Sequence, residues 1–439
     1  MKKFFEKSFL TYIRIIAKLQ LKKYKLLSKN LKIIGISGSA GKTSTMDALY
    51  AVLKTNFKVK YSYKANSETG IPLDILGIQP PEEYSIFEWF KIAALVIFKL
   101  ITNWQKYDIY IVEMGVDAIE EPKNMKYLLR IVVPDIAIYL NINAVHSSNY
   151  ETQIERFNES DESYKNKVED AIAKDKSLLI SSISETGVVI LNMSDQRVAN
   201  SKKLAKCKVI EVSQDNQIHF IKLGDQIYPK HYDITFKIAH EVGKLFNLTD
   251  LEIENNLITN FHLEPGRCSI FDGFKNSTLI DSSYNSSKEP CMDLLELLKY
   301  CHVENSYKIG VLGDMRELGS SSKLEHTSLA EFAFSNQVAD EYYLVGPEMK
   351  NYFSTKLIDL GFEKAKIHTF EKASELANSL IDYLQHRVVL KDKKLVILVK
   401  GSQNTIFTEI VVEQLLANPE DKAKLCRRGK FWDERRKNY

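Results

Sequence analysis

The sequence contains little cysteine and little excess charge. Its five cysteines are scattered and form no C-x-x-C pair, which argues against a zinc ribbon and a disulfide framework and suits a reducing cytoplasm. The formal net charge of +3 gives no reason to expect a nucleic-acid partner. No internal repeat or low-complexity linker interrupts the 439 residues, which are enough for two or three domains. We therefore expect a cytoplasmic globular protein.

Long uninterrupted apolar runs are also scarce. Residues 2–29 predict one amphipathic helix with a single acid, Glu6, and no A-x-A-like cleavage site follows it. Two interpretations stay open: the helix packs on the domain that follows, or it makes a peripheral contact with an anionic membrane surface. Residues 86–105 are apolar as well, but Lys91 and Lys99 interrupt them. For this segment we favour a helix buried against a sheet over a second membrane-facing patch.

One glycine-rich stretch, residues 35–44, lies between an apolar strand-like run and a helical pattern. Such a loop lets backbone N–H groups converge on phosphate oxygens, Lys42 supplies a positive charge, and the Thr43 hydroxyl can bind Mg²⁺. Its glycines fall at 35, 38 and 41, so Ile36 stands where the usual phosphate loop begins with glycine. The residues predicted to contact the nucleotide are Gly38, Ser39, Ala40, Gly41, Lys42, Thr43 and Ser44.

Strand-like and helix-like segments alternate along most of the chain, which implies parallel sheets with helices on both faces. The sequence Glu264-Pro-Gly-Arg267 breaks the pattern, and the alternation restarts after it. The predicted fold class is α/β, with a P-loop parallel-sheet central ATPase domain followed by a smaller Rossmann-like α/β domain. The predicted parts are a basic amphipathic helix (1–31), the central domain (32–265) and the C-terminal domain with a basic, loosely held tail (266–439).

Two side chains are predicted to share the crevice beside the phosphate loop. Glu113 ends an apolar strand, and an acid at the carboxyl end of such a strand is placed to hold Mg²⁺. His146 follows the next predicted strand and should reach the same edge of the sheet. Lys176, taken alone, looks like a solvated helix residue.

Further motifs follow the phosphate loop in a fixed order. They are Asn66-Ser-Glu-Thr-Gly-Ile-Pro-Leu73, Glu113-Met-Gly115, Val132-Val-Pro-Asp-Ile-Ala137 with Asn143 and His146, Ile172-Ala-Lys-Asp-Lys176, Leu191-Asn192 with Asp195, Pro265-Gly-Arg267, Leu279–Asn285, Val311–Gly319 with His326, and Leu398-Val-Lys-Gly-Ser402. This set resembles the Mur ligases, the ATP-dependent amide-forming enzymes of peptidoglycan precursor synthesis. The branch it resembles most adds D-alanyl-D-alanine to UDP-muramoyl-tripeptide. The glycine spacing is similar to the family's G-x-x-G-x-x-G-K-[TS].

The resemblance implies an ADP-forming carboxylate–amine ligase that acts through an acyl phosphate. It implies ATP and two Mg²⁺ ions as cofactors, with Lys42, His146 and a carbamylated Lys176 as catalytic residues. The implied metal ligands are Thr43, Glu113, His146 and Lys176. From the C-terminal domain, Arg267 and Asn285 would contact the nucleotide. The implied substrate-binding residues are Asn66, Asp314, Glu317, His326 and Lys400.

The sequence also departs from the family pattern. Ser282 replaces the second Asp of an Asp-Asp pair, and Gln403 replaces the usual Arg after Lys-Gly-Ser. Residues 1–31 do not resemble the family's N-terminal uridine-nucleotide domain. The acceptor is therefore open, although we expect a monomer that acts on a small-molecule or peptide–nucleotide substrate.

Two alternatives remain beside the D-alanyl-D-alanine-adding ligase. One is a ligase of the same superfamily with a different acceptor, of the folylpolyglutamate or cyanophycin type. The other is a non-catalytic nucleotide-binding scaffold. The presence of Lys42, Thr43, Glu113, His146 and Lys176 argues against the scaffold.

Overall fold

The chain divides into two compact units. The computed structural model describes residues 2–63, 65–80, 86–143, 148–157, 160–215, 217–224, 226–301, 305–386, 393–402 and 405–436. The first unit contains the described residues of 1–159, 163–214 and 233–261. The second contains those of 160–162, 215–232 and 262–439.

The first unit is built on a parallel six-stranded sheet. Its strands are β1 (Lys32–Ser37), β2 (Val59–Tyr61), β3 (Ile109–Glu113), β4 (Ile136–Tyr139), β5 (Val188–Asn192) and β6 (Lys208–Val212). Their order is β2-β3-β1-β4-β5-β6, and β1 lies in the interior, paired in parallel with β3 and β4. These three strands are almost fully buried, as expected where helices cover both faces of a parallel sheet. The α/β prediction is confirmed.

Helices alternate with these strands along the chain. They are α1 (Lys2–Leu27), α2 (Lys42–Leu53), α3 (Gly70–Leu76), α4 (Ile86–Thr102), α5 (Met125–Leu129), α6 (Ser148–Glu151), α7 (Asp161–Lys176), α8 (Leu178–Ser181), α9 (Gln196–Asn200), α10 (Tyr232–Leu245) and α11 (Asp250–Asn260). A short 3₁₀ helix spans Ser201–Leu204. Asn256 on α11 donates a hydrogen bond to the Val52 carbonyl at 2.9 Å, which ties α11 to α2.

The second unit contains a hairpin and a second six-stranded sheet. The strands are β7 (Phe220–Leu223), β8 (Gln226–Pro229), β9 (Ser269–Gly273), β10 (Ser277–Ser282), β11 (Ser306–Gly313), β12 (Glu341–Val345), β13 (Ile367–Phe370) and β14 (Lys394–Lys400). The sheet order is β13-β12-β11-β14-β10-β9, with β9 antiparallel to β10 and the other neighbours parallel. The sequence pattern did not indicate β9, whose residues are only partly buried at the edge of the sheet.

The helices of the second unit follow its strands. They are α12 (Lys288–Tyr300), α13 (Ser322–Asn336), α14 (Thr355–Asp359), α15 (Ala373–His386), α16 (Glu409–Leu415) and α17 (Lys430–Arg436). A π-helical stretch, Met349–Ser354, precedes α14, and a 3₁₀ helix spans Pro419–Lys424. The tail was predicted to be loosely held, but Leu425 and Cys426 are buried within it. Apolar residues thus anchor this part of the tail in the second unit.

The β7–β8 hairpin belongs to the second unit, although the predicted limits 32–265 placed it in the central domain. Polar contacts between the residues that follow β8 and helix α12 explain the difference. Lys230 Nζ lies 2.6 Å from a carboxylate oxygen of Glu296, and His231 Nδ1 lies 3.0 Å from Asp293. The hairpin is therefore tied to α12 by polar contacts that the sequence pattern could not reveal.

Helix α1 packs into the core of the first unit. Ile13, Ala17 and Tyr24 are buried against α3 and α4, and the Tyr24 hydroxyl donates a hydrogen bond to the Ile75 carbonyl at 2.8 Å. Of the two interpretations of residues 2–29, packing on the following domain is confirmed for this face of the helix. In the described part of the chain, no helix is both long enough and apolar enough to span a membrane.

Helix α4 is buried along one face only. Ile92 and Val96 are buried in the core, whereas Phe98 and Ile101 are exposed. The predicted packing against the domain is therefore correct for the inner face, and the outer face carries large apolar side chains in contact with solvent.

The packing of α1 predicts how two substitutions on this helix differ. Ile13→Ala removes a fully buried side chain and should lower the free energy of unfolding by about 2–5 kcal/mol, because it leaves a cavity. Leu26→Ala is the matched control, since Leu26 is 81% exposed. Urea unfolding of both variants checks this, and equal midpoints would show that α1 is not part of the core.

Candidate active site

The phosphate loop joins the end of β1 to the start of α2. Gly41 adopts a left-handed conformation with φ of +82°, immediately before the helix. A Cβ atom at Gly38 would lie 2.9 Å from the Cβ atom of Leu140, so the loop passes too close to the end of β4 for a side chain. Glycine is required at position 35 for a different reason: a Cβ atom there would lie 2.4 Å from Cγ of Pro134. The unusual glycine spacing thus combines one packing position in β1 with two loop positions.

The segment that follows β4 fixes the shape of the loop. The Asn141 side chain accepts a hydrogen bond from the Ala40 N–H at 2.8 Å and donates one to the Ala40 carbonyl at 3.2 Å. The Ser39 N–H donates to the Asn141 carbonyl at 2.9 Å, and the Ser39 hydroxyl donates to the Asn143 carbonyl at 3.1 Å. Backbone N–H groups that were expected to face phosphate are therefore engaged by Asn141 in this structure.

Two lysine amines lie against this loop. Lys42 Nζ donates to the Gly38 carbonyl at 2.9 Å and to the Ser39 carbonyl at 3.1 Å, and Lys176 Nζ donates to the Ser39 hydroxyl at 3.3 Å. Burial lowers the pKa of Lys42. Burial, together with the charge of Lys42, holds the pKa of Lys176 well below its ordinary value. The expectation that Lys176 alone looks like a solvated helix residue is wrong, because its side chain is buried.

The position of Lys176 follows from the end of α7. Its neighbour Asp175 accepts hydrogen bonds from the Met125 N–H at 3.2 Å and from the Tyr150 hydroxyl at 3.3 Å. Burial raises the pKa of Asp175 to about 6. These bonds tie the last turn of α7 to α5, and the following side chain turns towards the phosphate loop.

Glu113 brings two other predicted site residues together at the end of β3. One carboxylate oxygen accepts a hydrogen bond from the Thr43 hydroxyl at 3.0 Å, and the other accepts one from the Asn66 amide at 3.1 Å. The Glu113 N–H donates to the Ser62 hydroxyl at 2.9 Å, which fixes the strand end. A carboxylate beside a hydroxyl is a hard-oxygen pair of the kind that Mg²⁺ prefers, so these residues fit such an ion.

The other predicted metal ligands are not all located by the structure. His146 lies outside the described residues. Among the residues that the structure does describe, no group of three His, Cys, Asp or Glu side chains is arranged to hold a metal ion. Of the predicted metal ligands, Thr43 and Glu113 are the two that the structure brings into direct contact.

A cavity of about 110 Å³ lies between these groups. It is lined by Ser39, Lys42, Asn66, Ser67, Gly115, Val116, Asp117 and Lys176. Asp117 was not predicted from the sequence, yet its charge raises the pKa of both lysines, against the effect of burial. The available signal was its position shortly after the strand-end Glu113, on the same segment of chain.

In the second unit, Lys400 and Asn285 lie together. Lys400 Nζ donates to the Asn285 carbonyl at 2.6 Å, and the Ser402 hydroxyl donates to the Asn285 side chain at 3.2 Å. Burial lowers the pKa of Lys400 to about 8, and the charge of Arg267 acts in the same direction. Ser282 is buried beside Lys400 in the sheet register, whereas Gln403 lies outside the described residues.

Other predicted substrate residues of this unit take part in its internal structure. Asp314 accepts a hydrogen bond from the Met349 N–H at 2.8 Å. The buried His326 ring accepts from the Met315 N–H at 3.1 Å through Nε2, and Nδ1 lies 2.8 Å from the Ser322 carbonyl. Both ring nitrogens of His326 thus have partners inside the protein, and burial lowers its pKa. Substrate contacts by Asp314, Glu317 and His326 stay predictions.

A buried ion pair from the tail braces the residues before Asn285. Arg427 Nε and Nη2 donate to the two carboxylate oxygens of Glu409 at 2.7 and 2.6 Å. The same guanidinium donates to the Ser283 carbonyl at 2.6 Å and to the Tyr284 carbonyl at 2.8 Å. Arg267 lies over the Tyr284 ring, 4.6 Å from its centroid. The tail thus holds the backbone immediately before Asn285, one of the predicted nucleotide-binding residues.

Comparison with known protein families finds one match that covers about half of the chain. The family described as "Mur ligase middle domain" matches residues 36–264. The UDP-N-acetylmuramoyl-tripeptide–D-alanyl-D-alanine ligase of Buchnera aphidicola is 23% identical over 428 residues, which cover 89% of this chain and 78% of that protein.

Solved structures share the fold. MurF ligase from Thermotoga maritima, in complex with ADP, has a TM-score of 0.64 at 20% identity and covers 93% of this chain and 84% of its own. Folylpolyglutamate synthase from Mycobacterium tuberculosis has a TM-score of 0.56 at 14% identity and covers 90% and 92% respectively. At such identities these structures show the fold alone.

The ion pair of Arg427 predicts a large loss of stability when one partner is removed. Glu409→Ala leaves a buried guanidinium without its carboxylate and should lower the free energy of unfolding by about 3–5 kcal/mol. Glu363→Ala is the control, because its pair with Lys366 is exposed and such pairs contribute about 1 kcal/mol or less. Chemical unfolding of the two variants measures the difference. Equal losses would contradict a bracing role for the tail.

Proposed function

Because this chain belongs to the Mur ligase family, we propose that it is an ATP-dependent ligase that joins a carboxylate to an amine and releases ADP and phosphate. The amine is D-alanyl-D-alanine or a similar compound, and the carboxylate belongs to a peptidoglycan precursor peptide. The relatives that carry the name UDP-N-acetylmuramoyl-tripeptide–D-alanyl-D-alanine ligase support this substrate class. The observation that carries the proposal is the burial of Lys176 beside Ser39 of the phosphate loop.

The reaction balances in two steps. A carboxylate oxygen of the substrate attacks the γ-phosphorus of ATP, the bond to the β-phosphate bridging oxygen breaks, and ADP leaves. The amine nitrogen then attacks the acyl carbon, the bond to the phosphate oxygen breaks, and the nitrogen loses a proton. Lys42 lies in the phosphate loop, where its charge would stabilise the oxygens that gain negative charge during phosphoryl transfer.

Thr43 and Glu113 would hold Mg²⁺, since their oxygens already lie 3.0 Å apart at the end of β3. The ion would supply charge neutralisation between the phosphates and the substrate carboxylate. Asn66 donates a hydrogen bond to Glu113 at 3.1 Å and so orients the carboxylate. We further propose that a second Mg²⁺ binds with His146 and Lys176 among its ligands.

We propose that Lys176 acts as a carbamate. Only a neutral amine adds to CO₂, and burial beside Lys42 favours the neutral form of Lys176 because it lowers the pKa of this amine. The addition forms an N–C bond, releases one proton and turns the side chain into an anion. That anion would pair with the positive charge of Lys42 and offer hard oxygen ligands to a metal.

The second unit would supply the remaining contacts. Arg267 and Asn285 are the proposed nucleotide-binding residues there, and Lys400 is the proposed substrate contact. The fold of this unit supports their proximity, since Lys400 is bonded to Asn285 and Arg267 lowers the pKa of Lys400. The folylpolyglutamate-type alternative rests on shared fold alone, at 14% identity.

The carbamate predicts a characteristic response to three substitutions. Lys176→Ala should lower the rate of phosphate release at least about 100-fold, a loss typical when one preorganised group is removed. Lys176→Glu should retain part of the activity, because it restores an anionic oxygen ligand. Lys174→Ala, on the same helix but exposed, is the control and should be neutral.

A spectroscopic measurement separates the carbamate from a simple packing role. With ¹³C-bicarbonate, the unsubstituted protein should show a carbamate carbon signal by NMR that is absent from Lys176→Ala. Full activity of Lys176→Ala, or the same signal in that variant, would exclude the carbamate.

The substrate class has its own test. Phosphate release from ATP should require both a UDP-muramoyl-tripeptide and D-alanyl-D-alanine, because the amine must consume the acyl phosphate for turnover. A folate substrate with glutamate is the comparison. Release with the folate pair alone would identify the other acceptor type, and release with neither pair would oppose both.

A further inference from the structure

Helices α1 and α4 share an outward face that carries large apolar side chains. Five of these side chains, and that of Trp104 two residues after α4, are more than half exposed: Ile15 (51%), Leu26 (81%), Phe90 (62%), Phe98 (59%), Ile101 (64%) and Trp104 (64%). We call them, with the helix surface between them, the α1/α4 outer face. Scattered single exposed apolar residues are common, but a group on two adjacent helices marks an interaction surface.

The two helices lie side by side, so their exposed residues form one surface. The Tyr12 hydroxyl on α1 donates to the Ala93 carbonyl on α4 at 2.8 Å. Further along, Lys23 Nζ donates to the Leu100 carbonyl at 2.8 Å and lies 3.8 Å above the centre of the Trp104 ring. These contacts run along both helices, and the apolar residues flank them on the solvent side.

This surface differs from the apolar face of α1 that packs into the core. That face includes Ile13, Ala17 and Tyr24, and it is buried inside the first unit. The residues Ile15 and Leu26 lie on another side of the same helix and remain exposed. Packing therefore buries one apolar face of α1. A second apolar face of α1 stays exposed and is continuous with the exposed side chains of α4.

The charge around the outer face is mainly basic, and the one acid of α4, Glu88, lies 3.4 Å from Lys91. Lys18, Lys22 and Lys25 are exposed on α1, and neither residues 7–29 nor residues 89–107 contain an Asp or a Glu. The formal net charge of the chain is only +3, so this basic character is local. Apolar side chains rimmed by lysines, with a tryptophan among them, are the combination that seats a helix in the interfacial layer of a membrane.

We propose that the α1/α4 outer face docks on an anionic lipid bilayer surface. The apolar side chains enter the headgroup region, and the lysines contact anionic headgroups. A second copy of the chain is a poorer occupant, because a symmetric contact through this face would bring the lysines of both copies together. The inference rests on the packing and charge of α1 and α4 and is independent of the proposed reaction.

Vesicle co-sedimentation of the full chain tests the docking. The protein should sediment with vesicles of phosphatidylcholine that contain phosphatidylglycerol, and much less with phosphatidylcholine alone. Raising the salt concentration should weaken the binding, because it screens the attraction between lysines and headgroups. Absence of binding to the anionic vesicles at low salt would overturn the proposal.

Substitutions locate the binding surface. Combined reversal of Lys18, Lys22 and Lys25 to Glu should weaken binding to anionic vesicles at least about tenfold, because each basic residue near such a surface strengthens binding several-fold. The matched control reverses Lys203, Lys206 and Lys323, which are exposed elsewhere. Equal loss in both triple variants would show a non-specific charge effect and overturn the proposal.

The apolar part of the face has a parallel test. Phe98→Glu with Ile101→Glu should also weaken vesicle binding at least about tenfold, since charged groups do not enter the apolar part of the interface. Leu251→Glu is the control, because Leu251 is 67% exposed on α11. Thermal unfolding of each variant should match that of the unsubstituted protein, as these side chains are exposed. Unchanged vesicle binding by the double variant would contradict docking through this face.

Sedimentation velocity tests whether a second copy of the chain, instead of a lipid surface, covers the α1/α4 outer face. The chain should be monomeric in the absence of vesicles, with or without Phe98→Glu and Ile101→Glu. A dimer that this double substitution dissociates would show that a second copy covers the face and would overturn the lipid assignment.

Discussion

The burial of two lysine amines against one phosphate loop is the main constraint on the candidate site of the first unit. Lys42 and Lys176 both contact the loop, Lys42 through two carbonyls and Lys176 through the Ser39 hydroxyl. Two cations so placed repel each other, and burial adds to the cost of charging either one. The acids Glu113 and Asp117 offset part of this cost for Lys42. An anionic nucleotide, or the proposed modification that removes the charge of Lys176, would relieve this cost.

The second unit also contains a buried cation, but there the protein itself supplies the partner that neutralises its charge. Its buried Arg427 is fully paired with Glu409 and also donates to two backbone carbonyls, so a permanent charge is satisfied without any ligand. This pair fixes the backbone at residues 283–284, just before Asn285. In the same unit, burial lowers the pKa of Lys400 to about 8, and the Lys400 amine donates to the Asn285 carbonyl. The tail therefore contributes to the order of a predicted binding region far from it in sequence.

The order of strands and helices, and hence the α/β class, could be read from local periodicity. Strands β1, β3 and β4 occur where the apolar pattern indicated them, because strands buried on both faces leave a clear apolar run. The edge strand β9 and the attachment of the β7–β8 hairpin were not evident, since each depends on a partner distant in sequence. The spacing predicted that Thr43 and Glu113 lie together beside the glycine-rich loop, whereas Asp117 and Asn141, which lie in the same region, carry no motif and were not predicted there.

By itself, the sequence determined the alternation of elements, the phosphate loop and the ordered motifs that indicate a Mur ligase. Local spacing suffices for these because backbone geometry and phosphate binding use residues that are neighbours along the chain. Only the tertiary structure decided that Lys176 is buried, that Gly35 serves packing against Pro134, and that α1 hides one apolar face and exposes another. The reason is physical: burial, pKa and the choice of face depend on which distant segments come together, and no local pattern records that.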